Sequence, residues 1–227
     1  MNKSGIEWTE FTSNPVKGKC PVDCSYCYVK PLRHRYGWHD DIRFYPKELE
    51  AIRRRKKPAK IFVGSTIELF HEQTIQYMPE IMEAVGVSPQ HTFIFLTKQP
   101  QNLSRFSPFP DNVWIGVSVT NLLAFYSAMH HMASAKATIK YISYEPLLES
   151  MAGAQPIEEH LTNGGIQWLI IGSQTKPTVM PKKVWVDEII GACKKANIPY
   201  FLKDNLKPLM GDDLVQEMPR QLATKGG

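Results

Sequence analysis

Six short apolar runs, separated by intervals of roughly 20 to 30 residues, constrain the fold of this chain more than any other feature of its sequence. They occupy residues 61–64, 92–96, 113–117, 140–143, 168–172 and 199–202. Each run is continuously apolar and rich in β-branched or aromatic residues, a pattern typical of parallel strands that are covered on both faces. Each interval leaves room for a crossover helix, so the sequence predicts an α/β fold with a parallel sheet.

Amphipathic stretches between these runs predict the helices. Residues 46–55 begin with a proline, which is favoured in the first turn of a helix. Residues 74–85 and 184–196 carry apolar side chains on one helical face. A further strand is expected near residues 12–16. Together these elements predict six or seven βα units in a single domain over residues 1–227, arranged as an open doubly wound sheet or a partial barrel.

Length and composition exclude several classes of protein. A chain of 227 residues suits one domain of this kind and is short for two, and its 43% of apolar residues is enough for a full core. No apolar run is long enough to cross a bilayer, and the opening MNKSGIEWTE lacks the apolar stretch of a signal peptide. We therefore expect a cytoplasmic protein, in which clustered cysteines indicate metal binding or catalysis more than disulfides.

The balance of charge is mildly basic. The net charge is +5 and the pI about 8.9, which is compatible with a polyanionic partner. A basic run at residues 53–57 predicts either a solvated helix end or a contact with nucleic acid. Residues 32–45 are expected to form a loop in which aromatic residues and arginines alternate: Arg33, Arg35, Tyr36, Trp38, Arg43, Phe44 and Tyr45. These side chains could hold bases and phosphates, or form a packed loop that shields a neighbouring site.

Polar side chains follow each of the six predicted strands. They are Ser65, Thr66 and Glu68, then Thr97 and Lys98, then Ser118, Thr120 and Asn121, then Glu145, then Ser173 and Gln174, and finally Lys203 and Asp204. Ligand sites of α/β folds lie beyond the carboxyl ends of the strands. Any one of these residues could simply mark where a strand meets a polar loop, but the full set predicts one polar pocket.

Three of the four cysteines lie within the stretch CPVDCSYCYVK, as Cys20, Cys24 and Cys27. Clustered thiolates bind soft metals, chiefly zinc or iron–sulfur clusters. A structural zinc site takes four ligands, and His34 or His39 could supply the fourth. A [4Fe–4S] cluster also takes four ligands, so three thiolates would leave one iron open to bind a substrate or cofactor.

The spacing CxxxCxxC, with Tyr26 before the last cysteine, resembles the signature of the radical S-adenosylmethionine superfamily. The wider stretch NPVKGKCPVDCSYCYVKPLRHRYG resembles the branch of that superfamily related to spore photoproduct lyase. The stretches IFVGSTIELFHE, FIFLTKQP, VWIGVSVTN, YISYEPLLES, WLIIGS and IPYFLKD are similar to a phage- and prokaryote-associated group of this branch without an assigned reaction. The resemblance covers nearly the whole chain and implies a partial (β/α)6 barrel, with a cluster-binding loop after its first strand.

The resemblance also implies a cofactor chemistry. Cys20, Cys24 and Cys27 would ligate three irons of a [4Fe–4S] cluster, and S-adenosyl-L-methionine would chelate the fourth. An external electron donor of the flavodoxin or ferredoxin type would reduce the cluster, which would then cleave the cofactor. The resulting 5′-deoxyadenosyl radical would abstract hydrogen from an unidentified substrate.

By the same resemblance, Tyr26 lies near the adenine of the cofactor. Ser65 stands in for the Gly-Gly-Glu segment that commonly binds the methionine ammonium in the family, a pattern from which this chain departs. Lys98 and Ser118 match positions near the carboxylate and ribose, with Asn121 as a further ribose candidate. A lysine suits a carboxylate because it is a point cation that needs no planar partner.

Glu145 and Lys203 are the catalytic candidates. Glu145 could bind a ribose diol or the substrate, or it could pair with Lys98 or Lys203. His71 lies beside apolar residues just past the second strand, and such a histidine is either a hydrogen-bonded core residue or a ligand. Cys193 falls on the apolar face of a predicted helix and is expected to be a buried thiol.

The substrate is left open by the sequence. Spore photoproduct lyase carries a cysteine hydrogen-atom donor near the end of its second strand, and no cysteine lies near residues 63–65 here. Nucleic acid or a nucleotide is favoured by the basic balance and by the branch resemblance, and the loops at residues 32–45 and 152–165 could hold it. The alternative is a zinc- or iron–sulfur-stabilised accessory protein with a degenerate fold, which binds without catalysis. The sequence predicts no membrane partner and leaves the oligomeric state open.

Overall fold

The chain forms an α/β fold around a mostly parallel sheet, in a computed structural model that describes residues 1–220. Its strands are β1 (Asn2–Lys3), β2 (Phe11–Ser13), β3 (Val16–Lys17), β4 (Arg43–Phe44), β5 (Lys60–Val63), β6 (Thr92–Thr97), β7 (Val113–Ser118), β8 (Ile139–Tyr144), β9 (Trp168–Ile171) and β10 (Tyr200–Leu202). Eight of them form one sheet in the order β1-β2-β5-β6-β7-β8-β9-β10, while β3 and β4 pair separately as an antiparallel hairpin.

Strand direction places all the carboxyl ends from β2 to β10 at one edge of the main sheet. Every pairing from β2 through β10 is parallel, and only β1 runs antiparallel to its neighbour. Among the strands of the described residues, β1 pairs only with β2 and β10 only with β9, so the two ends of the sheet do not meet and no barrel closes. The α/β class and the parallel sheet expected from the sequence are therefore confirmed.

Up to residue 220, six helices occupy intervals between the strands, and a seventh follows β10. They are α1 (Val29–Tyr36), α2 (Pro46–Arg54), α3 (Met78–Gly86), α4 (Leu122–Ser134), α5 (Ile157–Asn163), α6 (Lys183–Ala196) and α7 (Lys207–Met210). Short 3-10 turns at Ile75–Tyr77, Pro100–Arg105, Ala152–Ala154, Asp204–Leu206 and Gly211–Asp213 complete the connections. None of the helices within residues 1–220 combines the length and apolar character that crossing a lipid bilayer requires.

The two faces of the sheet are buried in different ways. Alternate residues of the strands enter two separate apolar clusters, which explains why the runs in the sequence are continuously apolar. The larger cluster contains the buried residues of the helices, such as Ile81 of α3 and Ile189 of α6. The smaller cluster contains strand residues and three tryptophans, Trp8, Trp114 and Trp168. The buried residues of α2 to α7 thus all pack on one face of the sheet, and the aromatic cluster lies on the other.

Most of the predicted elements lie where the sequence placed them. The six predicted strands match β5 to β10 within one residue at either end, and the helices expected at residues 46–55 and 184–196 match α2 and α6. The helix expected at residues 74–85 begins as a 3-10 turn and becomes α3 only at Met78. The strand expected near residues 12–16 divides into β2 and β3, because the chain turns between them at Asn14-Pro15.

One prediction about the connections was wrong. Residues 32–45 were expected to form a loop, yet their first part belongs to α1 and residues 43–44 form β4. Helix α1 has a left-handed Gly37 at its carboxyl end, with φ of +59°, a conformation that glycine adopts without strain. The second expected loop, at residues 152–165, contains a 3-10 turn and the short helix α5.

Candidate functional site

A cavity of about 520 Å³ lies beyond the carboxyl ends of the parallel strands, on the face that carries the aromatic cluster. Every predicted site residue except Asn121 lines it: Cys20, Cys24, Tyr26, Cys27, Ser65, Lys98, Ser118, Glu145 and Lys203. Trp8 and Phe62 of the aromatic cluster line it as well. Residues from all six predicted strand ends therefore line one cavity, as expected, although its wall is more apolar than polar. The cysteine loop forms part of this wall.

The cysteine loop is built from tight turns. It starts at Gly18, whose φ of +146° favours glycine, and a Cβ there would lie 2.6 Å from the carbonyl oxygen of Asp41. The amide of Asp23 donates to the carbonyl of Cys20 at 3.3 Å, and the amide of Cys27 donates to the carbonyl of Cys24 at 3.2 Å. These turns bring the three thiols to the same cavity within a short length of chain.

The donor set suits a soft metal group. Three thiols in one loop are the ligand type that zinc and iron–sulfur clusters prefer. Within residues 1–220, no three His, Cys, Asp or Glu side chains are placed to share one metal ion. A [4Fe–4S] cluster holds each thiolate on a different iron, so it does not require three sulfurs to converge on one point.

The two histidines considered as extra zinc ligands lie outside the main cavity. Both ring nitrogens of His39 are hydrogen-bonded, Nε2 to the Tyr45 hydroxyl at 2.7 Å and Nδ1 to the carbonyl of Asp41 at 2.8 Å. His34 is exposed on α1 and lines a second cavity on the outer side of the cysteine loop. Using His39 as a ligand would require breaking one of its hydrogen bonds.

Glu68 is a buried acceptor that joins the ends of β5 and β6. Its carboxylate accepts from the Thr97 hydroxyl at 2.7 Å, from the amide of Lys98 at 2.7 Å and from the amide of Phe70 at 3.0 Å. Its own amide donates to the sulfur of Cys20 at 3.4 Å. Glu68 therefore positions both the cysteine loop and Lys98, while its carboxylate is occupied by the protein itself.

Ser65 lies in a small network with Asn14 at the end of β2. The Ser65 hydroxyl is 3.2 Å from Asn14 Oδ1 and 3.1 Å from Asn14 Nδ2, and Thr66 donates to Asn14 Oδ1 through both its amide and its hydroxyl. The Tyr28 hydroxyl donates to the carbonyl of Ser65 at 2.7 Å. These contacts fix the turn after β5 against the cysteine loop.

Lys98 and Tyr26 face each other across the cavity wall. The Lys98 ammonium lies 5.7 Å from the centroid of the Tyr26 ring, a favourable cation–π position. Burial, together with the neighbouring Cys24 thiol, raises the pKa of the Tyr26 hydroxyl, so the phenol stays neutral. In the described part of the chain Lys98 makes no ion pair, which leaves its charge available to an anionic group in the cavity.

Lys203 and Glu145 also line the cavity and form an ion pair with each other. This pairing is one of the alternatives considered for Glu145. The Lys203 ammonium is 2.8 Å from Glu145 and 3.5 Å from Glu7, and the Ser143 hydroxyl donates to Glu145 at 2.8 Å. Burial alone would lower the pKa of Lys203, but the two carboxylates outweigh it and the net shift is upward. The wall therefore carries a fixed cation with two anionic partners.

Other predicted residues have structural roles. Asn121 caps helix α4, since its side chain accepts from the amide of Ala124 at 2.8 Å, and it does not line the cavity. His71 is half-buried and accepts from the amide of Gln73 through Nδ1. Cys193 is fully buried as expected, and burial raises the pKa of its thiol to about 12.

The basic run at residues 53–57 divides between internal contacts and solvent. Arg53 and Arg54 pair with Glu83 and Glu50, while the Arg55 guanidinium lies 4.3 Å from the centroid of the Phe11 ring. The two lysines that follow are exposed. The three arginines of the run therefore make contacts within the protein at the end of α2, and the two lysines extend into solvent.

Three residues in or next to the cavity wall were not predicted: Trp8 lines the cavity, Asn14 bonds to Ser65, and Glu7 pairs with Lys203. Asn14 follows β2 as the other polar residues follow their strands, so the same strand-end argument could have found it. Glu7 and Trp8 precede β2, and no local pattern marks them as part of the site. Trp8 lines the cavity, and its buried indole N–H has no hydrogen-bond partner among the described residues.

The comparisons with known proteins identify a family without assigning a reaction. The comparison with curated proteins gives no match, and neither does the comparison with solved structures. A family model described as "Protein of unknown function (DUF5131)" matches residues 3–211. Because this match spans most of the sheet, the cysteine loop and the whole cavity wall, the chain belongs to the DUF5131 family.

Proposed function

We propose that this chain is a radical S-adenosylmethionine enzyme related to the spore photoproduct lyase branch. The observation that carries the proposal is that the three thiols of the CxxxCxxC loop and the polar residues of six strand ends line one cavity. In this proposal the open sheet is a partial (β/α)6 barrel. The packing of the buried helical residues on a single face supports that arrangement over a doubly wound sheet, in which helices cover both faces.

The residues present fit a cluster and a cofactor. Three thiols supply soft ligands for three irons and leave a fourth iron open. The Lys98 ammonium, which lines the cavity, offers a cation to a carboxylate. A cavity of about 520 Å³ lies within the usual range for sites that hold small molecules.

Each residue at the site has a role in this proposal. Cys20, Cys24 and Cys27 ligate the cluster. Lys98 holds the carboxylate of the cofactor, and Ser65 holds its ammonium through the hydroxyl oxygen that Asn14 orients. Tyr26 offers a flat ring beside the adenine. Ser118, at the end of β7, is assigned to the ribose. Asn121 has no role at the site, because its side chain caps α4 outside the cavity.

When bound, the cluster and S-adenosyl-L-methionine would supply one-electron reductive cleavage of a carbon–sulfur bond and hydrogen abstraction from the substrate. The protein would contribute binding and exclusion of water around that chemistry. The apolar wall formed by Trp8, Phe62 and Leu96 lowers the local polarity. Lys203 and Glu145 are the groups we assign to the substrate, because they face the same cavity from the last strands.

The proposed partners follow from the chemistry. Reductive cleavage requires an external electron donor of the flavodoxin or ferredoxin type, and the reducing cytoplasm is the compartment in which such a cluster survives. A nucleic acid or nucleotide is the substrate class we favour, because the chain is basic and carries exposed aromatic and cationic side chains close to the cysteine loop.

The test is anaerobic reconstitution with iron and sulfide, followed by absorption and EPR spectroscopy. Wild-type protein is expected to hold four irons per chain and, when reduced, to release 5′-deoxyadenosine from S-adenosyl-L-methionine. Cys20→Ala, Cys24→Ala and Cys27→Ala are each expected to lose most of the cluster signal. Cys193→Ala is the matched control, because this buried thiol lies on α6 and should leave the signal intact.

Two results would contradict the proposal. A full cluster signal in all three loop variants would remove the ligand assignment. A reconstituted, reduced wild-type protein that never releases 5′-deoxyadenosine would remove the enzymatic reaction, whatever its iron content.

A second candidate is an accessory protein with a degenerate fold, stabilised by zinc or an iron–sulfur cluster, that binds without catalysis. The observation that favours it is Glu68, whose carboxylate is occupied by Phe70, Thr97 and Lys98 instead of facing a ligand. One zinc per chain in protein that was purified and reconstituted without oxygen, together with unchanged S-adenosyl-L-methionine, would favour this candidate.

A further inference from the structure

Helix α1 is a cationic element that packs weakly on the rest of the molecule. The segment from Tyr28 to Trp38 contains Lys30, Arg33, His34 and Arg35 and no acidic residue. Val29 is the one residue of α1 that is buried. Ion pairs from Lys30 to Asp23 and from Arg33 to Asp40 hold the helix beside the cysteine loop. The helix therefore presents most of its surface to solvent instead of to the core.

The aromatic residues of this region divide into an exposed pair and a packed pair. Tyr36 and Trp38 are 60% and 44% exposed, and their rings stack with centroids 6.2 Å apart and planes 21° apart. Phe44 instead stacks on Tyr77 at 5.2 Å, and the Tyr45 hydroxyl bonds to His39. The sequence could not tell these two roles apart. The structure shows that Phe44 and Tyr45 support the fold while Tyr36 and Trp38 face solvent.

We infer that Tyr36 and Trp38, with Arg35 beside them, form a binding surface for single-stranded nucleic acid. The Arg35 guanidinium lies 5.6 Å from the centroid of the Tyr36 ring, so planar groups of both kinds are presented together. Bases stack on exposed aromatic rings without regard to sequence, and the surrounding cations hold phosphates. This inference rests on the proposed function and assigns the class of substrate to it.

The proposed binding surface on α1 is continuous with both cavities beside the cysteine loop. Tyr28, at the amino end of α1, is 43% exposed and lines the main cavity. Trp38 lines the second cavity, of about 540 Å³, whose wall also contains Cys20 and Cys27. Eight helical residues extend about 12 Å, roughly three or four nucleotides at about 3.4 Å per nucleotide along one strand. A strand bound along α1 could thus place one nucleotide in the main cavity.

Nucleic acid fits this surface better than an acidic redox protein does. Both partners would be drawn by Lys30, Arg33 and Arg35. A base of any kind gains roughly 5-fold to 150-fold in affinity from each ring that it stacks on. A protein partner gains from these rings only where it presents an apolar or planar side chain to them, which an acidic surface patch does not supply by its charge. The aromatic pair is therefore the feature that separates the two partners.

The test is fluorescence anisotropy with a labelled single-stranded oligonucleotide of about 12 nucleotides, as DNA and as RNA, titrated with the full chain with and without reconstitution. Tyr36→Ala and Trp38→Ala are each expected to weaken binding by about 5-fold to 150-fold. Arg35→Ala is expected to lower the slope of log affinity against log salt by about 1.

Matched controls lie elsewhere on the surface. Tyr126 has the same 44% exposure as Trp38 but lies on α4, so Tyr126→Ala should bind the oligonucleotide as the wild type does. Lys57→Ala removes an exposed cation from the basic run after α2 and should leave the salt slope unchanged. Circular dichroism of each variant separates loss of binding from loss of folding.

Three outcomes would overturn the inference. The first is unchanged oligonucleotide affinity in both aromatic variants. The second is an equal loss of affinity in Lys57→Ala, which would assign binding to the basic run. The third is that the aromatic variants lose affinity for a flavodoxin while keeping it for the oligonucleotide. Because binding is measured without the cluster as well, a failure to release 5′-deoxyadenosine would count against the proposed function alone.

Discussion

At the scale of single residues, Glu68 shows how one buried side chain can organise a site without reacting in it. Its three accepted hydrogen bonds join the turn after β5 to the end of β6, where Lys98 begins. Its position after a strand predicted a polar residue at the rim of the pocket. The sequence could not show that its oxygens are taken by the Thr97 hydroxyl and the Lys98 amide, because those partners are 29 and 30 residues away along the chain.

Replacing Glu68 by alanine should destabilise the protein by about 3 to 5 kcal/mol, because three buried donors lose their acceptor at once. Urea unfolding followed by circular dichroism measures this change. Glu72→Ala is the control, since Glu72 is 67% exposed and pairs with Arg105 at the surface, and it should change stability by less than about 0.5 kcal/mol. Equal effects from the two variants would show that Glu68 has no special structural role.

Lys203 makes stability depend on alkaline pH. Its folded-state pKa is raised above the ordinary value of 10.5 because Glu145 and Glu7 favour the ammonium more than burial opposes it. The stability that this shift contributes is fully present below the unfolded pKa and is lost as the pH rises through the folded one. As the pH rises above 10.5, wild-type protein should therefore lose unfolding free energy more steeply than Lys203→Met.

The control for this pH dependence is Lys183→Met, which removes an exposed lysine paired with Asp187 on α6. Its curve of unfolding free energy against pH should run parallel to that of the wild type. If Lys203→Met also runs parallel to the wild type, the pair with Glu145 does not shift the pKa of Lys203.

At the scale of elements, the strands were easier to predict than helix α1. The strands from β5 to β10 are buried on both faces, so their sequences are apolar throughout and stand out from their surroundings. Helix α1 has eight residues and buries only Val29, so it leaves no apolar period to detect. Its Pro31 also lies near the amino end, where a helix tolerates it but where it resembles a turn signal.

Strand β7 depends on a glycine that its sequence pattern does not explain. A Cβ on Gly116 would lie 2.1 Å from the ring of Tyr141, whose hydroxyl donates to the carbonyl of Phe95 at 2.9 Å. Gly116→Ala should therefore destabilise the protein by at least about 2 kcal/mol, because neither the ring nor the strand can move freely. Thermal and urea unfolding measure the loss.

Gly191 offers the matched substitution in a helix. Nothing lies within 4 Å of a Cβ at this position in α6, so Gly191→Ala should stabilise the protein by about 0.5 to 1 kcal/mol. A loss of stability in Gly191→Ala, or none in Gly116→Ala, would contradict the packing described for these two elements.

At the scale of the whole molecule, the open sheet must protect its two edges. Strand β1 has only two residues, which is one way in which proteins limit edge pairing. The edge at β10 is covered by the segment at residues 214–217. The amide of Leu202 donates to the carbonyl of Val215 at 2.8 Å, and the amide of Glu217 donates to the carbonyl of Tyr200 at 3.0 Å.

Glu217→Pro should expose this edge, because proline removes the amide that pairs with Tyr200. We expect a loss of about 1 to 3 kcal/mol, which lowers Tm by about 2 to 4 °C for each kcal/mol, and more aggregation by light scattering on heating. Glu217→Ala keeps the amide and removes only an exposed side chain, so it should melt as the wild type does. Identical melting of the two variants would mean that the segment does not protect the edge.

The sequence by itself determined the α/β class, the six central strands and the set of polar residues that meet at their ends. These features depend on which residues are apolar, on how those residues are spaced, and on which polar residues follow each strand. All three can be read directly from the sequence. Only the tertiary structure decided that the cysteine loop shares a cavity with Lys98, Glu145 and Lys203, that Asn121 caps a helix, and that Tyr36 and Trp38 face solvent while Phe44 and Tyr45 do not. These outcomes depend on contacts between distant parts of the chain, such as Lys203 with Glu7, and no local pattern encodes them.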